Sequence, residues 1–195
     1  MRSLLSLVLA VGLASCVPSP PRPTSAVRSD ERPDVSAADL ERGVHAATNA
    51  ARRRERLGVL GTDGALAAVA RRHSADMARL GFFNHIAPDG SDANARAASS
   101  GLACRVTEGN QMFTGFSENL AQVWLYSRWT ETRTAIGTRR MYDWLSRDEV
   151  VAETVDGWLA SPGHRRNLLL RHATREGVGV VIGADGQVFV TQLLC

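Results

Sequence analysis

Three side chains scattered along the chain could do chemistry together: His85, Glu118 and His164. Two imidazoles and a carboxylate can form a metal site that keeps one position open for water, and a divalent metal such as zinc would lower the pKa of that water. Without a metal, a histidine and a glutamate can act as an acid/base pair. In the simplest alternative, the two histidines only hydrogen-bond across a cleft and hold its loops together.

Local sequence indicates how the two histidines are placed. His164 follows the run Ser-Pro-Gly at 161–163. Serine is a favoured N-cap and proline a favoured first helical residue, so a short helix is predicted to begin there. The positive end of a helix dipole disfavours an imidazolium, which keeps the imidazole of His164 available as a ligand or base. His85 lies in a loop that leads into a Pro-Asp-Gly turn at 88–90.

The surrounding elements follow from capping residues and from hydrophobic periodicity. The predicted elements are a helix from Ser36 to Gly58 with Asp39 completing its cap, a helix from about Asp63 to Gly81, a short helix from about Asp92 to Ser99, a helix over 148–160, the short helix from Ser161, and a β-hairpin with strands at 177–182 and 188–194. The segment 101–117 is predicted to be a loop. This order predicts an α+β domain with antiparallel strands.

Composition excludes several functions. The chain has 195 residues, of which 44% are hydrophobic and 22% charged, enough for one domain with a sizeable core. All 23 residues counted as Lys plus Arg are Arg. The absence of lysine excludes Schiff-base and P-loop chemistry. The net charge of +3 is small, and no nucleic-acid partner is expected of an exported protein with so little charge.

Two motifs that resemble catalytic or cofactor signatures fail on inspection. The run Gly177-Val-Gly179 resembles the start of a dinucleotide-binding fingerprint, but Ile182 stands where the third glycine belongs and a hairpin turn follows, so it is predicted to be a strand. The run at 115–119 has Asn119 where a nucleophile elbow needs glycine.

The N-terminus predicts export and a lipid anchor. Residues 1–15 have the layout of a secretory signal, too short to span a bilayer. Leu-Ala-Ser-Cys at 13–16 is typical of a bacterial lipobox, in which Cys16 is acylated and becomes the new N-terminus; the alternative is an ordinary signal peptide whose cleavage site happens to end in Cys. Because Val17 rather than Asp follows, we expect the membrane partner to be the outer membrane, with the domain facing the periplasm or the cell surface.

A tether and a disulfide are predicted beyond this anchor. Five of the seven prolines fall within 16–36, and a polyproline-like chain over 17–35 would extend up to ~60 Å at ~3.1 Å per residue. The folded domain is predicted to occupy 37–195. With Cys16 modified, Cys104 and Cys195 remain as an even pair in an oxidising compartment, and we expect them to form a disulfide.

Several motifs, taken in order, resemble one family. They are Phe83-Asn-His85, Ser-Glu-Asn-Leu-Ala at 117–121, Trp-Leu-Ala-Ser-Pro-Gly-His-Arg-Arg-Asn-Leu at 158–168, Asn49 with Arg52, the turn at 88–90, and the strands at the C-terminus. Together they resemble the CAP superfamily, the SCP-like group of cysteine-rich secretory proteins, antigen 5 and plant pathogenesis-related proteins, and most closely its bacterial branch.

The resemblance implies a three-layer α-β-α sandwich with a small antiparallel sheet and a central cleft. In the family, two histidines and two acidic residues line that cleft and can bind a divalent metal, often zinc. The matching residues here are His85, His164 and Glu118. The second acid of eukaryotic members would lie three residues after Trp158, where this chain has Ser161. The residue before the glutamate is usually glycine in the family, and here it is Ser117.

The segment 124–144 departs from the family pattern. It holds three of the four Trp, both Tyr and four Arg. Exposed aromatics with arginine can bind peptidoglycan, another glycan or a protein partner by stacking. The alternative is a folded flap whose aromatics pack on the domain.

The other histidines and polar candidates are assigned structural places. The expectations are a core position for His73, a helix-surface position for His45, a loop position for His172, core packing for Trp158, and either a cleft or a backbone-bonding role for Asn119 and Gln192. The function expected from all of this is an exported CAP-like lipoprotein that binds a ligand, a metal or an envelope partner. The alternatives are a hydrolase of peptides or cell-wall material, dependent on a metal or on the His–Glu pair, and a purely structural envelope protein.

Overall fold

The computed structural model describes residues 27–195 of the chain. The predicted signal sequence, Cys16 and the first part of the predicted tether lie outside the described residues. No helix within 27–195 has the length and the hydropathy needed to cross a bilayer.

Five helices form near the positions that the capping residues predict. They are α1 (Ala37–Arg54), α2 (Gly64–Leu80), α3 (Ala93–Ala98), α4 (Arg147–Ala160) and α5 (Pro162–Leu168). The side chain of Ser36 caps α1 through the amide of Asp39, and that of Asp63 caps α2. Gly81 ends α2 in the left-handed region, at a φ of 70°, which glycine adopts at little cost. Helix α1 ends four residues before the predicted Gly58.

Nine strands form three sheets within residues 27–195. They are β1 (Val27–Ser29), β2 (Gly61–Thr62), β3 (Arg105–Glu108), β4 (Gln111–Thr114), β5 (Ser117–Trp124), β6 (Tyr126–Thr134), β7 (Gly137–Trp144), β8 (Arg175–Ile182) and β9 (Gln187–Leu194). The central sheet has the order β2-β8-β9-β5, and the others are β1-β7-β6 and β3-β4. Only the β2–β8 pair among them is parallel. The predicted C-terminal hairpin is confirmed as β8–β9.

Helices cover both faces of the central sheet, which confirms the predicted α+β sandwich. Helix α2 packs on one face, where Met77 meets Leu120 and Phe189. Helices α1, α4 and α5 pack on the other face and form the largest core cluster. Its buried members are Leu40, Val44, Ala51, Ala121, Leu125, Trp144, Leu145, Val150, Val151, Val155, Trp158, Leu168, Val178, Val180, Val188 and Val190. Alternation along β8 and β9 sends successive side chains to opposite faces.

The two glycines of the rejected nucleotide motif lie in β8 and let α2 approach the sheet closely. A Cβ atom on Gly177 would lie 2.2 Å from the backbone nitrogen of Ala67, and one on Gly179 would lie 2.1 Å from that of Arg71. Because the obstructing atoms are helix backbone, no side-chain rotation can relieve either clash. The prediction that this run is a strand is therefore confirmed, and the glycines have a packing role.

The prediction of a continuous loop over 101–117 is wrong. Residues 105–114 form the β3–β4 hairpin, with Gly109 at a φ of 58° in its two-residue turn. Glycine followed by Asn110 between two short runs is a hairpin signal that could have been recognised. The hairpin begins directly after Cys104. Cys104 and Cys195 form a disulfide, which confirms the predicted pairing.

The segment 124–144 is a folded hairpin, β6–β7, that joins a second sheet. At its base, the rings of Tyr126, Tyr142 and Trp144 contact one another, and Tyr126 also contacts Trp124. The alternative of a folded flap whose aromatic side chains pack on the domain therefore describes the base of the hairpin. It does not describe the outer part, where Trp129 is 48% exposed.

Part of the predicted tether lies on the domain. Strand β1 pairs antiparallel with β7, with Val27 opposite Trp144 and Ser29 opposite Tyr142. A strand of three residues is too short to show a periodic pattern in the sequence. Its extended conformation is stabilised by pairing with β7. The rest of the predicted tether, up to residue 26, lies outside the described residues.

Candidate functional site

The candidate site is built around Glu118, a buried carboxylate near the start of β5. Its side chain is 4% exposed. One oxygen, Oε1, accepts a hydrogen bond from Nδ1 of His85 at 2.8 Å. The other oxygen, Oε2, accepts from an Nη of Arg96 at 2.6 Å. Both oxygens are therefore paired, as a buried charge requires.

Arg96 on α3 holds the loop that carries His85. Its second Nη donates to the backbone oxygens of His85 at 3.0 Å and of Ser91 at 2.8 Å. One guanidinium thus fixes the backbone of His85 and, through Glu118, the ring of His85 as well. Sequence reasoning missed Arg96 because its partners lie five, eleven and twenty-two residues away, beyond the reach of any local pattern.

The carboxylate of Glu118 orients the imidazole of His85. When Nδ1–H is donated to Glu118, Nε2 is left as an acceptor that can face a ligand. The side chain of His85 is 52% exposed, so a ligand can reach it. Phe83 and Ile86, on the same loop, are also exposed. The loop therefore presents an oriented imidazole with apolar side chains beside it.

His164 is brought to the same edge of the central sheet by α5. Ser161 is the N-cap position and Pro162 the first helical residue, as the sequence predicts. Asn119 donates to the backbone oxygen of His164 at 3.2 Å, and Asn167 donates to the backbone oxygen of Glu118 at 3.0 Å. These bonds attach α5 to β5 beside Glu118.

The pKa of His164 is lowered, first by burial of the ring and then by the repulsion that two protonated imidazoles, His164 and His85, would exert on each other. The second cause places the two imidazoles close enough to interact electrostatically. The lowered pKa favours the neutral form of His164. The structure therefore brings His85, Glu118 and His164 into one region, with direct side-chain contact only between the first two.

These residues do not fit the zinc site that the family resemblance implies. No group of three or more His, Cys, Asp or Glu side chains within 27–195 is arranged to hold a metal ion. Both oxygens of Glu118 are engaged, one by His85 and the other by the cation of Arg96. Ser161 stands where the second acid would lie. Arg96 supplies the positive charge that a metal would otherwise supply to this carboxylate.

A buried polar chain continues from the site through the central sheet. Asn119 donates to Oε1 of Gln192 at 3.0 Å, and Gln192 donates to Oε2 of Glu176 at 2.5 Å. Asn119 and Gln192 are both fully buried and bond mainly to other side chains. Of the two predicted roles, backbone bonding describes Asn119 in part, through its bond to the backbone oxygen of His164, whereas the bonds of Gln192 are to the side chains of Asn119, Thr48 and Glu176.

The expected helix-surface position of His45 is correct only in part: its side chain on α1 is 27% exposed, but it also bonds to a buried acid. Nδ1 of His45 donates to Oε1 of the buried Glu176 at 2.6 Å, and the ring is largely covered. The bond to Glu176 raises the pKa of His45. The sequence missed this pair because Glu176 lies on β8, 131 residues further along the chain.

The remaining assignments agree with the structure. His73 is fully buried, its Nε2 lies 3.0 Å from the backbone oxygen of Asn84, and burial lowers its pKa. His172 lies in a loop and stacks on Phe113, with ring centroids 3.8 Å apart. Trp158 is buried in the core and donates from its indole nitrogen to the backbone oxygen of Leu120 at 2.8 Å.

Three bacterial structures are similar to this fold. An outer surface protein of Borrelia burgdorferi matches with a TM-score of 0.58 and 16% identity, over 82% of this chain and 94% of its own. An extracellular SCP-domain protein of Bacillus anthracis matches with a TM-score of 0.56 and 25% identity, over 84% of this chain and 44% of its own. A cysteine-rich secretory protein of Staphylococcus aureus matches with a TM-score of 0.54 and 13% identity, over 84% of this chain and 40% of its own. The chain thus spans less than half the length of the last two.

No curated protein matches the chain. The model of the cysteine-rich secretory protein family, CAP, matches residues 45–194, well over half of the chain, and includes all three predicted site residues and Arg96. The fold and this match agree, and the chain belongs to the CAP family of cysteine-rich secretory proteins.

Proposed function

We propose that this CAP-domain protein is exported, is anchored to a membrane through Cys16, and binds a ligand in the cleft between His85 and His164 without chemically changing it. The observation that carries the binding proposal is the buried Glu118, which orients His85 while Arg96 neutralises the carboxylate. Two of the similar structures are described as an outer surface protein and an extracellular protein, which supports export.

The chemistry of the cleft favours a ligand that carries N–H or O–H donors beside an apolar group. Nε2 of His85 is an acceptor when its Nδ1–H is donated to Glu118. The lowered pKa of His164 keeps a second neutral imidazole at the same edge of the sheet. Phe83 and Ile86 offer exposed apolar surface on the loop of His85. Short peptides with an apolar side chain have this combination.

A hydrolase is the second candidate, and the Glu118–His85 pair is the observation that favours it. A carboxylate that orients an imidazole is the arrangement that general bases use, with Nε2 taking the proton. Within residues 27–195, however, no Ser, Thr or Cys side chain bonds to either ring. Both oxygens of Glu118 already accept hydrogen bonds from His85 and Arg96, so neither is free to face a substrate.

The binding proposal is tested with a library of tripeptides that contain one apolar residue, using NMR of the imidazole nitrogens. We expect binders to shift the signals of His85 and His164, and we expect His85→Ala and His164→Ala each to weaken binding roughly tenfold. His172→Ala is the matched control and should bind normally, since its ring stacks on Phe113. A library without binders, or binders that both variants retain, would contradict the proposal and favour a structural role.

The same samples separate binding from hydrolysis and from metal binding. Peptide cleavage that His85→Ala abolishes would establish the second candidate. Metal analysis of the purified protein should give no stoichiometric zinc. One zinc per chain that is lost in His85→Ala and His164→Ala would show that the cleft rearranges around a metal.

The lipid anchor is tested separately in bacterial cells. Mass spectrometry of the N-terminal fragment should show an acylated Cys16 at the new N-terminus, and Cys16→Ser should move the protein out of the membrane fraction. An unmodified Cys16 in a membrane-free protein would refute the anchor and leave the cleft proposal standing.

A further inference from the structure

The outer part of the β6–β7 hairpin, residues 127–141, is called the arm here. The hydrophobic clusters of residues 27–195 include Tyr126 and Tyr142 at its base but no side chain of the arm. Almost the whole arm is exposed, and Ile136 in its turn is 99% exposed. An element this long that contributes no side chain to the core has its surface available for a partner.

The surface of the arm has excess positive charge. Glu131 accepts from both Arg133 and Arg140, at 3.2 and 3.0 Å. At the base, Asp143 lies 3.8 Å from Arg28 and 3.9 Å from Arg128. Each carboxylate is thus shared by two guanidiniums, which leaves one positive charge in each cluster. The arginines are the more exposed partners in every pair, so an approaching molecule meets cations first.

An aromatic platform accompanies these charges. Trp129 lies opposite Tyr142 in the β6–β7 register, and Glu131 lies opposite Arg140. These side chains share one face because residues two apart along a strand point to the same side. The guanidinium of Arg140 lies 5.4 Å from the ring centroid of Trp129, which keeps the indole in place. The face therefore offers an aromatic ring for stacking beside arginines that can bind carboxylates.

The direction of the arm indicates where its partner lies, an argument that depends on the lipid anchor proposed above. The chain from Cys16 enters β1 at Val27, opposite Trp144 at the base of the hairpin, and runs towards the tip. Trp144 and Gly137 are seven positions apart along β7, or about 24 Å. The arm therefore extends away from the point where the anchored chain enters the domain.

We propose that the arm docks onto peptidoglycan, an anionic cell-wall polymer that offers sugar rings and peptide carboxylates together. The sugar rings would stack on Trp129, and the carboxylates would pair with Arg133 and Arg140. An anionic bilayer has the same sign of charge but offers no sugar rings for Trp129, and a strong membrane signal is the competing outcome.

The experiment uses the full chain with Cys16→Ser, so that no acyl group contributes to binding. Co-sedimentation is measured with purified peptidoglycan sacculi and, separately, with vesicles of phosphatidylglycerol and phosphatidylcholine. We expect salt-sensitive binding to sacculi that Trp129→Ser and the double variant Arg133→Ala/Arg140→Ala each weaken roughly tenfold. Since these side chains lie outside the core, the thermal midpoints of the variants should match that of the parent.

Matched controls are available on other elements. Arg79 on α2 is an exposed arginine paired with Asp76, and Met112 on β4 is an exposed apolar residue. Arg79→Ala and Met112→Ser should bind sacculi as the parent does. Failure of the parent to bind sacculi, equal binding by the arm variants, or binding to vesicles alone would overturn the proposal. None of these outcomes depends on whether Cys16 is acylated in cells.

Discussion

Glu118, Arg96 and His85 form a chain in which each group fixes the next. Arg96 bonds to Glu118 and to the backbone of His85, while Glu118 bonds to the ring of His85. Because the carboxylate is buried, removing either partner leaves an uncompensated charge, whereas removing both does not. The loop of His85 is therefore attached to β5 by a buried ion pair and its hydrogen bonds.

A double-mutant cycle tests this arrangement. We expect Arg96→Met and Glu118→Leu each to lower the free energy of unfolding by about 3 to 5 kcal/mol, and the double variant to lose clearly less than their sum. Chemical denaturation monitored by tryptophan fluorescence measures all four proteins. The exposed pair Asp76–Arg79 is the control, where removal should change stability by no more than about 1 kcal/mol. Additive losses at Arg96 and Glu118 would show that the two side chains act independently.

His45 and His73 should give opposite pH dependences of stability. The pKa of His45 is raised by its bond to Glu176, so its contribution is complete below the ordinary value of 6.5 and is lost as the pH rises through the raised pKa. The pKa of His73 is lowered by burial, so its contribution is complete above 6.5 and is lost as the pH falls towards the lowered pKa.

Denaturation curves at several pH values for the parent, His45→Gln and His73→Gln measure this difference. The stability gap between parent and His45→Gln should narrow as the pH rises above 6.5. The gap between parent and His73→Gln should narrow as the pH falls below 6.5. Parallel curves for all three proteins would mean that neither ring changes its proton affinity on folding.

The sequence could predict that His85, Glu118 and His164 lie near one another because each belongs to a short motif that is typical of the family. It could not predict Arg96 or the pairing of His45 with Glu176. The contacts of Arg96 with Glu118 and of His45 with Glu176 depend on how α3 and α1 pack against the sheet. This packing is decided by segments that are far apart in the sequence. Chemistry within a motif is local, whereas the groups that tune it come from elsewhere in the fold.

At the scale of elements, the contact between α2 and β8 is set by glycine. We expect Gly179→Ala to lower the free energy of unfolding by about 3 kcal/mol or more, because its Cβ would meet the backbone of Arg71. Gly157→Ala in α4 is the matched control, since no atom lies within 4 Å of that Cβ position. It should stabilise the protein by about 0.5 to 1 kcal/mol. Equal behaviour of the two variants would mean that the helix can move away from the sheet without cost.

The elements differ in how far the sequence predicts them. Helices α1 and α2 have side-chain caps and long apolar periodicity, so their starts are recognisable. Strand β1 has three residues and gains its structure only from β7. The β3–β4 hairpin has four residues in each strand and mostly exposed side chains, so neither alternation nor burial marks it strongly. Short elements without a buried face are predictable mainly from their turns.

At the scale of the whole molecule, the Cys104–Cys195 disulfide ties the last strand to the middle of the chain. The bond joins residues 91 positions apart. The backbone oxygen of Cys195 also accepts from the amides of Thr174 and Arg175, so the C-terminus is held by β8 as well. Strand β9 in turn pairs with β5, where Leu193 lies opposite Glu118. The disulfide therefore stabilises the sheet on which the cleft is built without contributing a group to the cleft.

This division of roles predicts the behaviour of the variant Cys104→Ala/Cys195→Ala. Loss of a crosslink over 91 positions should lower the free energy of unfolding by up to about 4 to 5 kcal/mol, because the unfolded chain regains the freedom that the loop removed. The thermal midpoint should fall by roughly 10 °C or more. Well below that midpoint, the imidazole NMR signals of His85 and His164 should match the parent, since β8 and β9 still pair. Shifted signals in a folded variant would mean that the disulfide also sets the geometry of the cleft, and an unchanged midpoint would mean that it contributes little to stability.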